Sequence, residues 1–196
     1  MKLKHIIFVC FSLLGLASCS EKDDTIQEFP EDWAAQNDIF FQQLLTQAQD
    51  KKAAGDTSWD YFVSYTKPSQ NYSYKYHDYV VVEKLENGSG TQSPLLTDNV
   101  KIHYVGRLRP SANKYKTEGM IFDRSYNGVY DPAYTPAEFS VNAVIAGFGT
   151  TLIHMHKGDH WRVYIPYQLG YGSSGNTTIP GGSTLIFDLR LIDFYQ

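Results

Sequence analysis

Cysteine is scarce in this chain, positive charge is in deficit, and no apolar run is long enough to cross a bilayer. The 196 residues include two cysteines, 17 basic side chains and 21 acidic ones. A formal net charge of −4 provides no basic footprint for nucleic acid, so we expect no nucleic-acid partner. The sequence contains no internal repeat and no nucleotide or metal motif of accepted spacing, and we therefore predict no cofactor and no metal.

The longest apolar run lies at the N-terminus, from Ile6 to Leu16, just after two lysines. A membrane-spanning helix needs about 20 apolar residues, whereas the core of a signal peptide needs about 7 to 15. The run ends in Leu16-Ala17-Ser18-Cys19, which resembles a bacterial lipobox. We therefore predict that residues 1–18 are a lipoprotein signal peptide. A plain secretory signal with an incidental cysteine is the alternative.

The lipobox resemblance implies that cleavage leaves Cys19 as the first residue, with a diacylglyceryl group on its sulfur. Two or more acyl chains make membrane attachment stable, so we expect a cell-envelope protein that is lipid-anchored to the outer membrane, on its periplasmic or its surface side. Cleavage also removes Cys10 and leaves no free thiol, which excludes a disulfide and cysteine catalysis. The acidic run in residues 20–24 resembles the surface-export signals of Bacteroidetes lipoproteins, and a solvated tether is an equal alternative.

Residues 19–30 are polar and predict a flexible tether, and an amphipathic helix follows. Residues 31–54 repeat apolar side chains at spacings of three, four and seven, and Gly55 predicts the end of the helix. One helix cannot bury its own apolar stripe, so it packs on the rest of the chain, on a second copy or on a partner. Packing on the chain is favoured, and a homodimer through the 31–54 helix is the sharper alternative.

Aromatic side chains dominate the next segment, and strand patterns follow it. The chain contains 15 Tyr and 11 Phe, which favours β-rich structure. The alternation from Tyr72 to Tyr76 predicts a strand, and we interpret the aromatic residues 59–78 as a cover for the main domain rather than a glycan-stacking surface. We therefore predict an N-terminal helix and aromatic segment over residues 31–78 and the main domain over residues 79–196.

The stretch from Ala143 to Gly172 organises the main domain. It combines a small apolar run, a short glycine-spaced helix, a tight turn at residues 157–159 and a strand that stops at Pro166. It contains no nucleophile paired with a base and no phosphate loop. The stretch therefore predicts the wall and the lip of an apolar pocket.

The same stretch resembles the FKBP family of peptidyl-prolyl isomerases. The resemblance covers about residues 79–196 and rests on an ordered set of short motifs. They are Val100–Gly106, Phe122-Asp123-Arg124-Ser125, Val144-Ile145-Ala146-Gly147-Phe148, Met155-His156-Lys157-Gly158, Ile165-Pro166, Tyr171-Gly172, Ile179-Pro180 and Leu185–Leu191. Each motif is weak alone, whereas their order along the chain is specific.

The resemblance implies an α+β fold, in which an antiparallel twisted sheet of five to six strands wraps on a short helix; the N-terminal amphipathic helix is added to it. It implies a peptidyl-prolyl cis-trans isomerase that acts on proline-containing polypeptides and assists the folding of cell-envelope proteins. Rotation about an X-Pro bond needs no nucleophile, and a dry aromatic pocket favours the twisted, less dipolar amide. A non-catalytic peptide-binding or chaperone lipoprotein of the same fold is the alternative.

The resemblance also implies roles for individual residues. The residues expected to act on the substrate amide are Tyr104, Asp123, Ile145 and Tyr171. In this assignment the backbone N–H of Ile145 and the hydroxyl of Tyr171 donate to substrate carbonyls, Asp123 lies beside the reacting amide, and Tyr104 forms a wall. The residues expected to bind the substrate as walls, floor and lip of the pocket are Phe122, Phe139, Val144, Phe148, Ile179 and Phe187.

Some features depart from the family pattern and favour the binding-module alternative. Phe148 stands where the family usually has Trp, and Ala137 stands where it often has an aromatic residue. The polar loop of residues 109–119 is also longer than is usual in the family. The joint presence of the other pocket residues favours the enzyme.

The histidines at 154, 156 and 160 have no carboxylate or cysteine at useful spacing, so we interpret them as surface histidines rather than metal ligands.

Overall fold

The computed structural model describes residues 27–196. The predicted signal peptide, Cys19 and most of the predicted tether lie outside the described residues. Within this range the chain forms one antiparallel sheet and two α-helices, as expected from the sequence. None of the helices described is both long enough and apolar enough to span a membrane.

Seven strands form the sheet. They are β1 (Trp59–Val63), β2 (Tyr79–Glu86), β3 (Asn99–Leu108), β4 (Ile121–Arg124), β5 (Ala137–Ser140), β6 (His160–Ile165) and β7 (Leu185–Tyr195). Their order is β1-β2-β6-β7-β3-β4, and β5 pairs with the first part of β3. The expectation was five to six strands, and β1 is an additional edge strand, contributed by the aromatic segment and paired with β2.

The main core lies between one face of this sheet and the short helix α2 (Ala146–Leu152). Strand alternation places Val80 and Val82 in this core and sends Val81 to the opposite face. Helix α2 approaches β6 closely at Gly147, where an added Cβ would lie 2.3 Å from Ile165 Cγ2. A larger residue would push the helix off the strand, so the glycine is required by the packing.

Helix α1 (Trp33–Ala53) packs on the opposite face of the sheet. Its buried residues are Trp33, Asn37, Phe41, Leu44, Leu45 and Ala48. Of these, Phe41, Leu44, Leu45 and Ala48 pack with Val81, Tyr164 and Ile186, whereas Trp33 belongs to the main core. Trp59 stacks on Tyr164 with ring centroids 6.3 Å apart. The amphipathic helix is therefore confirmed, and its apolar stripe is covered by the sheet of its own chain.

The segment after β1 is not the strand that the alternation from Tyr72 to Tyr76 predicted. It bends and ends in a 3₁₀ turn, Tyr76–Asp78. The buried Asp78 carboxylate accepts the backbone N–H of Lys75 at 2.8 Å and pairs with Lys67 at 2.7 Å. These local bonds curl the chain back on itself, so the alternating tyrosines meet no strand partner.

Candidate functional site

Three strands bring the predicted pocket residues together. Tyr104 lies on β3, Asp123 on β4 and Phe187 on β7, and strand pairing sets Gly106 opposite both Asp123 and Phe187. A Cβ on Gly106 would lie 2.7 Å from ring atoms of both Phe122 and Phe187. Glycine at this point of β3 therefore lets two phenyl rings close over the strand, and this approach shapes one wall of the site.

A cavity of about 340 Å³ opens beside these residues. Of the ten residues predicted to act on or bind the substrate, eight line it. They are Tyr104, Asp123, Phe139, Val144, Ile145, Phe148, Tyr171 and Phe187. Ala143 completes the lining and was not predicted, although the small apolar run that it begins was the available signal. The cavity is at the small end of the range for ligand pockets, which suits one ring with its flanking peptide groups.

Aromatic rings make the floor and the walls of the cavity. Phe148 and Phe187 meet edge to face, with centroids 4.9 Å apart and planes at 75°. Tyr104 lies 6.1 Å from Phe148 and 6.2 Å from Phe187, and Phe139 lies 6.0 Å from Tyr104. These separations fall in the range where edge-to-face pairs attract each other. An apolar ring that enters the cavity therefore meets walls that already hold one another in place.

Two tyrosine hydroxyls and one carboxylate supply the polar groups. The Tyr104 hydroxyl donates to Asp123 Oδ2 at 2.8 Å, and the backbone N–H of Arg124 donates to Asp123 Oδ1 at 2.8 Å. Burial first, and then the Asp123 carboxylate, raises the pKa of the Tyr104 hydroxyl, so it remains a neutral donor. The same two causes, in the same order, raise the pKa of Tyr171. Tyr171 is 39% exposed, and its hydroxyl has no partner in the described part of the chain.

The backbone N–H of Ile145 is a further donor in the lining. Ile145 immediately precedes α2, and its carbonyl accepts the N–H groups of Phe148 at 3.0 Å and Gly149 at 3.1 Å. Its own N–H finds no acceptor among residues 27–196. This N–H is therefore free to bond a substrate carbonyl.

Two predicted residues lie outside the lining. Phe122 meets Phe187 edge to face with ring centroids 5.5 Å apart, and it lines an adjoining cavity together with Asp123. Ile179, expected at the lip, is 3% exposed and belongs to the main core. The reason is local, because Asn176 Oδ1 accepts the N–H groups of Thr178 and Ile179 at 2.9 and 2.8 Å and curls the loop. The substrate-binding roles of Phe122 and Ile179 stay predictions.

The three histidines considered from the sequence take part in separate contacts. His154 stacks on Phe62 with ring centroids 4.0 Å apart. His156 and His160 each lie near a different carboxylate, at 3.6 and 3.4 Å. Nowhere in residues 27–196 do three His, Cys, Asp or Glu side chains converge in a way that could hold a metal ion.

Comparison with known proteins points to one family. A family model described as FKBP-type peptidyl-prolyl cis-trans isomerase matches residues 90–192. A macrophage infectivity potentiator of Trypanosoma cruzi is 38% identical over 114 residues, which cover 58% of this chain and 52% of that protein. An FKBP-type 22 kDa peptidyl-prolyl cis-trans isomerase of Escherichia coli is 38% identical over 101 residues, which cover 51% of this chain and 43% of that protein. This chain spans about half the length of the curated relatives it matches.

Solved structures resemble the same architecture. The crystal structure of FkpA from Escherichia coli superposes with a TM-score of 0.51 at 26% identity and covers 83% of this chain and 64% of that one. A peptidyl-prolyl cis-trans isomerase from Pseudomonas syringae gives a TM-score of 0.51 at 24% identity and covers 79% of this chain and 96% of that one. The second likeness concerns the fold alone, and it agrees with the sheet and helices described above.

Proposed function

This chain belongs to the FKBP-type peptidyl-prolyl cis-trans isomerase family, and on that premise we propose that its aromatic cavity catalyses the cis–trans isomerisation of X-Pro bonds in polypeptides. One observation carries the proposal: residues from separate motifs, spread from Tyr104 to Phe187, line a single cavity. A packing role alone would press these rings together in the core and leave no cavity between them.

The reaction to be accelerated is rotation about a partial double bond. Resonance keeps the amide planar and imposes a barrier of about 18–20 kcal/mol. At the perpendicular geometry this resonance is lost, so the carbonyl is less polar and the nitrogen becomes pyramidal. A dry pocket stabilises this less dipolar state relative to the planar amide, which water solvates better. No nucleophile and no proton transfer is needed.

The residues of the cavity divide this task. Phe148, Phe187 and Tyr104 bind the prolyl ring, and the free N–H of Ile145 and the hydroxyl of Tyr171 donate to carbonyls of the flanking chain. These donors hold the peptide on both sides while the bond between them turns, so orientation is supplied before the transition state is reached. The carboxylate of Asp123, oriented by its bond from Tyr104, places a fixed charge beside the rotating amide.

Isomerisation of a short chromogenic peptide with an Ala-Leu-Pro-Phe core tests this function. We expect the parent chain to accelerate the slow phase and a Tyr104→Ala, Phe187→Ala double variant to have lost the effect. Ile39→Ala is a control, because it removes an exposed apolar side chain on α1, which packs on the other face of the sheet. Circular dichroism establishes that each variant is folded. If the parent chain is folded but does not accelerate the isomerisation, the proposed enzymatic function is wrong.

A second candidate function is a binding module of the same fold that holds prolyl segments without turnover. The residue that favours it is Phe148 at the floor of the cavity. The family usually has the larger Trp at this position, so Phe148 contacts a prolyl ring over a smaller area and holds it less tightly. Titration of the same peptide separates the two functions. Saturable binding that the double variant loses, without acceleration by the parent, supports the binding module.

We further propose that a lipid on Cys19 holds the domain at the outer membrane, where its substrates are prolyl segments of envelope proteins. The order of positive charge, apolar run, small residues and cysteine in residues 1–19 supports this. Of the predicted tether over residues 19–30, residues 19–27 precede the contacts of Glu28 with the domain and reach about 30 Å when extended. A Cys19→Ala variant is expected to leave the membrane fraction. Protease treatment of intact cells then distinguishes the surface from the periplasmic side.

The homodimer through the 31–54 helix stays a prediction. The apolar stripe of α1 already lies on the sheet, and the outer side of the helix carries polar residues such as Gln42, Gln43 and Gln47. A dimer of this kind must therefore use a polar face. Sedimentation velocity over a range of concentrations tests it, and a constant sedimentation coefficient that corresponds to the mass of one chain contradicts the homodimer.

A further inference from the structure

The residues just before and at the start of α1 contact both loops that lead to polar groups of the cavity. We call residues 28–34 the N-terminal brace. The Glu28 carboxylate accepts the backbone N–H groups of Lys114 at 2.8 Å and Tyr115 at 3.2 Å, and it also accepts the hydroxyl of Ser111. These bonds fix the 109–119 loop, which leads into the strand of Asp123.

Trp33 joins this loop to the second one through a single side chain. Its indole N–H donates to Ser183 Oγ at 2.8 Å, and Ser183 in turn donates to the carbonyl of Pro180 at 2.6 Å. The guanidinium of Arg109 lies over the same indole, 5.0 Å from the ring centroid, and Phe29 packs against it edge to face. Trp33 is only 4% exposed, so both contacts are sheltered from water.

A short series of contacts continues from the brace to Tyr171. A Cβ on Gly182 would lie 2.3 Å from the Cβ of Ala34, so helix and loop touch at this point. The N–H of Gly182 donates to the carbonyl of Gly172 at 3.1 Å. Gly172 is the residue that follows Tyr171, and the loop is thus held next to the tyrosine.

Tyr171 depends on such support. It lies in an irregular turn after the 3₁₀ segment Tyr167–Leu169, outside every strand and helix. Its hydroxyl has no partner elsewhere in the structure as described, so only the loop holds it in place. If this loop were mobile, each turnover would have to order it, and that cost would be subtracted from the binding of the transition state.

We propose that Trp33 is a positioning residue for the prolyl site: by holding Ser183 and the adjoining Gly182, it keeps the Tyr171 hydroxyl at the cavity. The inference rests on the proposed isomerase function and deepens it. The same indole also contacts Arg109, which lies in the loop before the strand of Asp123. One side chain of the N-terminal segment therefore aligns both sides of the polar lining.

The test replaces Trp33 by Phe in the full chain. Trp33→Phe keeps an aromatic ring beneath Arg109 and deletes the N–H that Ser183 accepts. We expect kcat to fall about three- to tenfold at nearly unchanged KM, because the loss of one hydrogen bond loosens the loop while the walls that bind the prolyl ring are untouched. Ser183→Ala is expected to give a similar fall. The double variant should be little worse than either single, because both substitutions remove the same bond.

Leu45→Ala is the matched control, because it removes buried packing from the far part of α1 and leaves both loops untouched. We expect it to lower stability and to keep the parent kcat. Amide hydrogen exchange at Gly172 and Gly182 measures how firmly the loop is held, independently of catalytic activity. Faster exchange in Trp33→Phe but not in Leu45→Ala supports the positioning role, even where an inactive parent refutes the isomerase. Unchanged exchange in Trp33→Phe, or a fall in kcat shared by Leu45→Ala, overturns it.

Discussion

A single methyl group on Gly106 tests how the cavity wall is built. In Gly106→Ala the new Cβ would lie 2.7 Å from Phe122 Cζ and from Phe187 Cε1. Carbon atoms that are not bonded prefer separations of about 3.5–4.0 Å, so each ring must move by about 1 Å. Because the contacts are with ring ends and not with backbone, we expect a cost near the lower end of the ~1–3 kcal/mol typical of overpacking.

The loss of activity should exceed this loss of stability. The displaced Phe187 ring also packs on Phe148 and Tyr104, so its shift is passed to the floor and the far wall. We expect kcat/KM for a chromogenic prolyl peptide to fall at least about tenfold, which corresponds to about 1.4 kcal/mol of transition-state binding. Urea denaturation of the same samples measures the change in the free energy of unfolding.

Gly55→Ala is the matched control for this experiment. Gly55 has a φ of +86° and no atom within 4 Å of an added Cβ, so alanine there costs about 1 kcal/mol through backbone strain alone. It lies beyond the end of α1, outside the cavity lining, and kcat/KM should not change. A parent-like kcat/KM in folded Gly106→Ala would refute the reasoning, and so would an equal loss in both variants.

Three further predictions concern polar groups. Tyr104→Phe removes the donor to Asp123 and is expected to lower the free energy of unfolding by about 0.5–1.5 kcal/mol and to lower kcat/KM; equal urea midpoints and rates would count against it. Tyr171→Phe should lower kcat with little change in stability, because its hydroxyl has no partner within residues 27–196, and a destabilised variant would contradict this. The paired bonds from Arg190 lower the pKa of Glu86 from its ordinary 4.5 to about 2. This pair therefore stabilises the fold above about pH 4.5, and the contribution is lost as pH falls from 4.5 towards 2. In Glu86→Gln the urea midpoint should therefore depend less on pH between 4.5 and 2 than it does in the parent. An equal pH dependence in the variant and the parent would show that the pair contributes little.

The resemblance implied the antiparallel sheet, and two of its motifs fall on strands of the structure. Val100–Gly106 lies within β3 and Leu185–Leu191 within β7, where the apolar side chains reflect burial on a pleated surface. The edge strand β1 was missed because its pairing with β2 depends on a partner outside its own sequence. The alternation from Tyr72 to Tyr76 failed for the opposite reason, since the bonds of Asp78 overrode it.

The cavity was predictable where a motif carries its own geometry, as in the stretch around Ile145 and Phe148. The burial of Ile179 was not predictable, because it follows from the hydrogen bonds that Thr178 and Ile179 donate to Asn176, and no pattern of apolar residues reveals such bonds. The bond between Tyr104 and Asp123 depends on the register of β3 against β4, which is known only after folding.

The contact between Trp33 and Ser183 joins residues 150 positions apart, and the periodicity of α1 predicts only that its stripe is buried. Sequence periodicity therefore reveals which side chains of a helix are inside. It does not reveal which loops they hold, because that depends on how the helix is placed against the sheet.

Exchange NMR of an X-Pro peptide at equilibrium, with the parent chain in catalytic amount, tests the central claim most directly. Uncatalysed exchange takes tens to hundreds of seconds and gives no cross-peaks during a mixing time of about a second. The account predicts cross-peaks between the cis and trans resonances at unchanged populations, because a catalyst alters only the rate. It also predicts their loss in the Tyr104→Ala, Phe187→Ala variant. Resonances that shift on binding without any cross-peaks would show that the cavity holds prolyl peptides without turning them, which would contradict the claim.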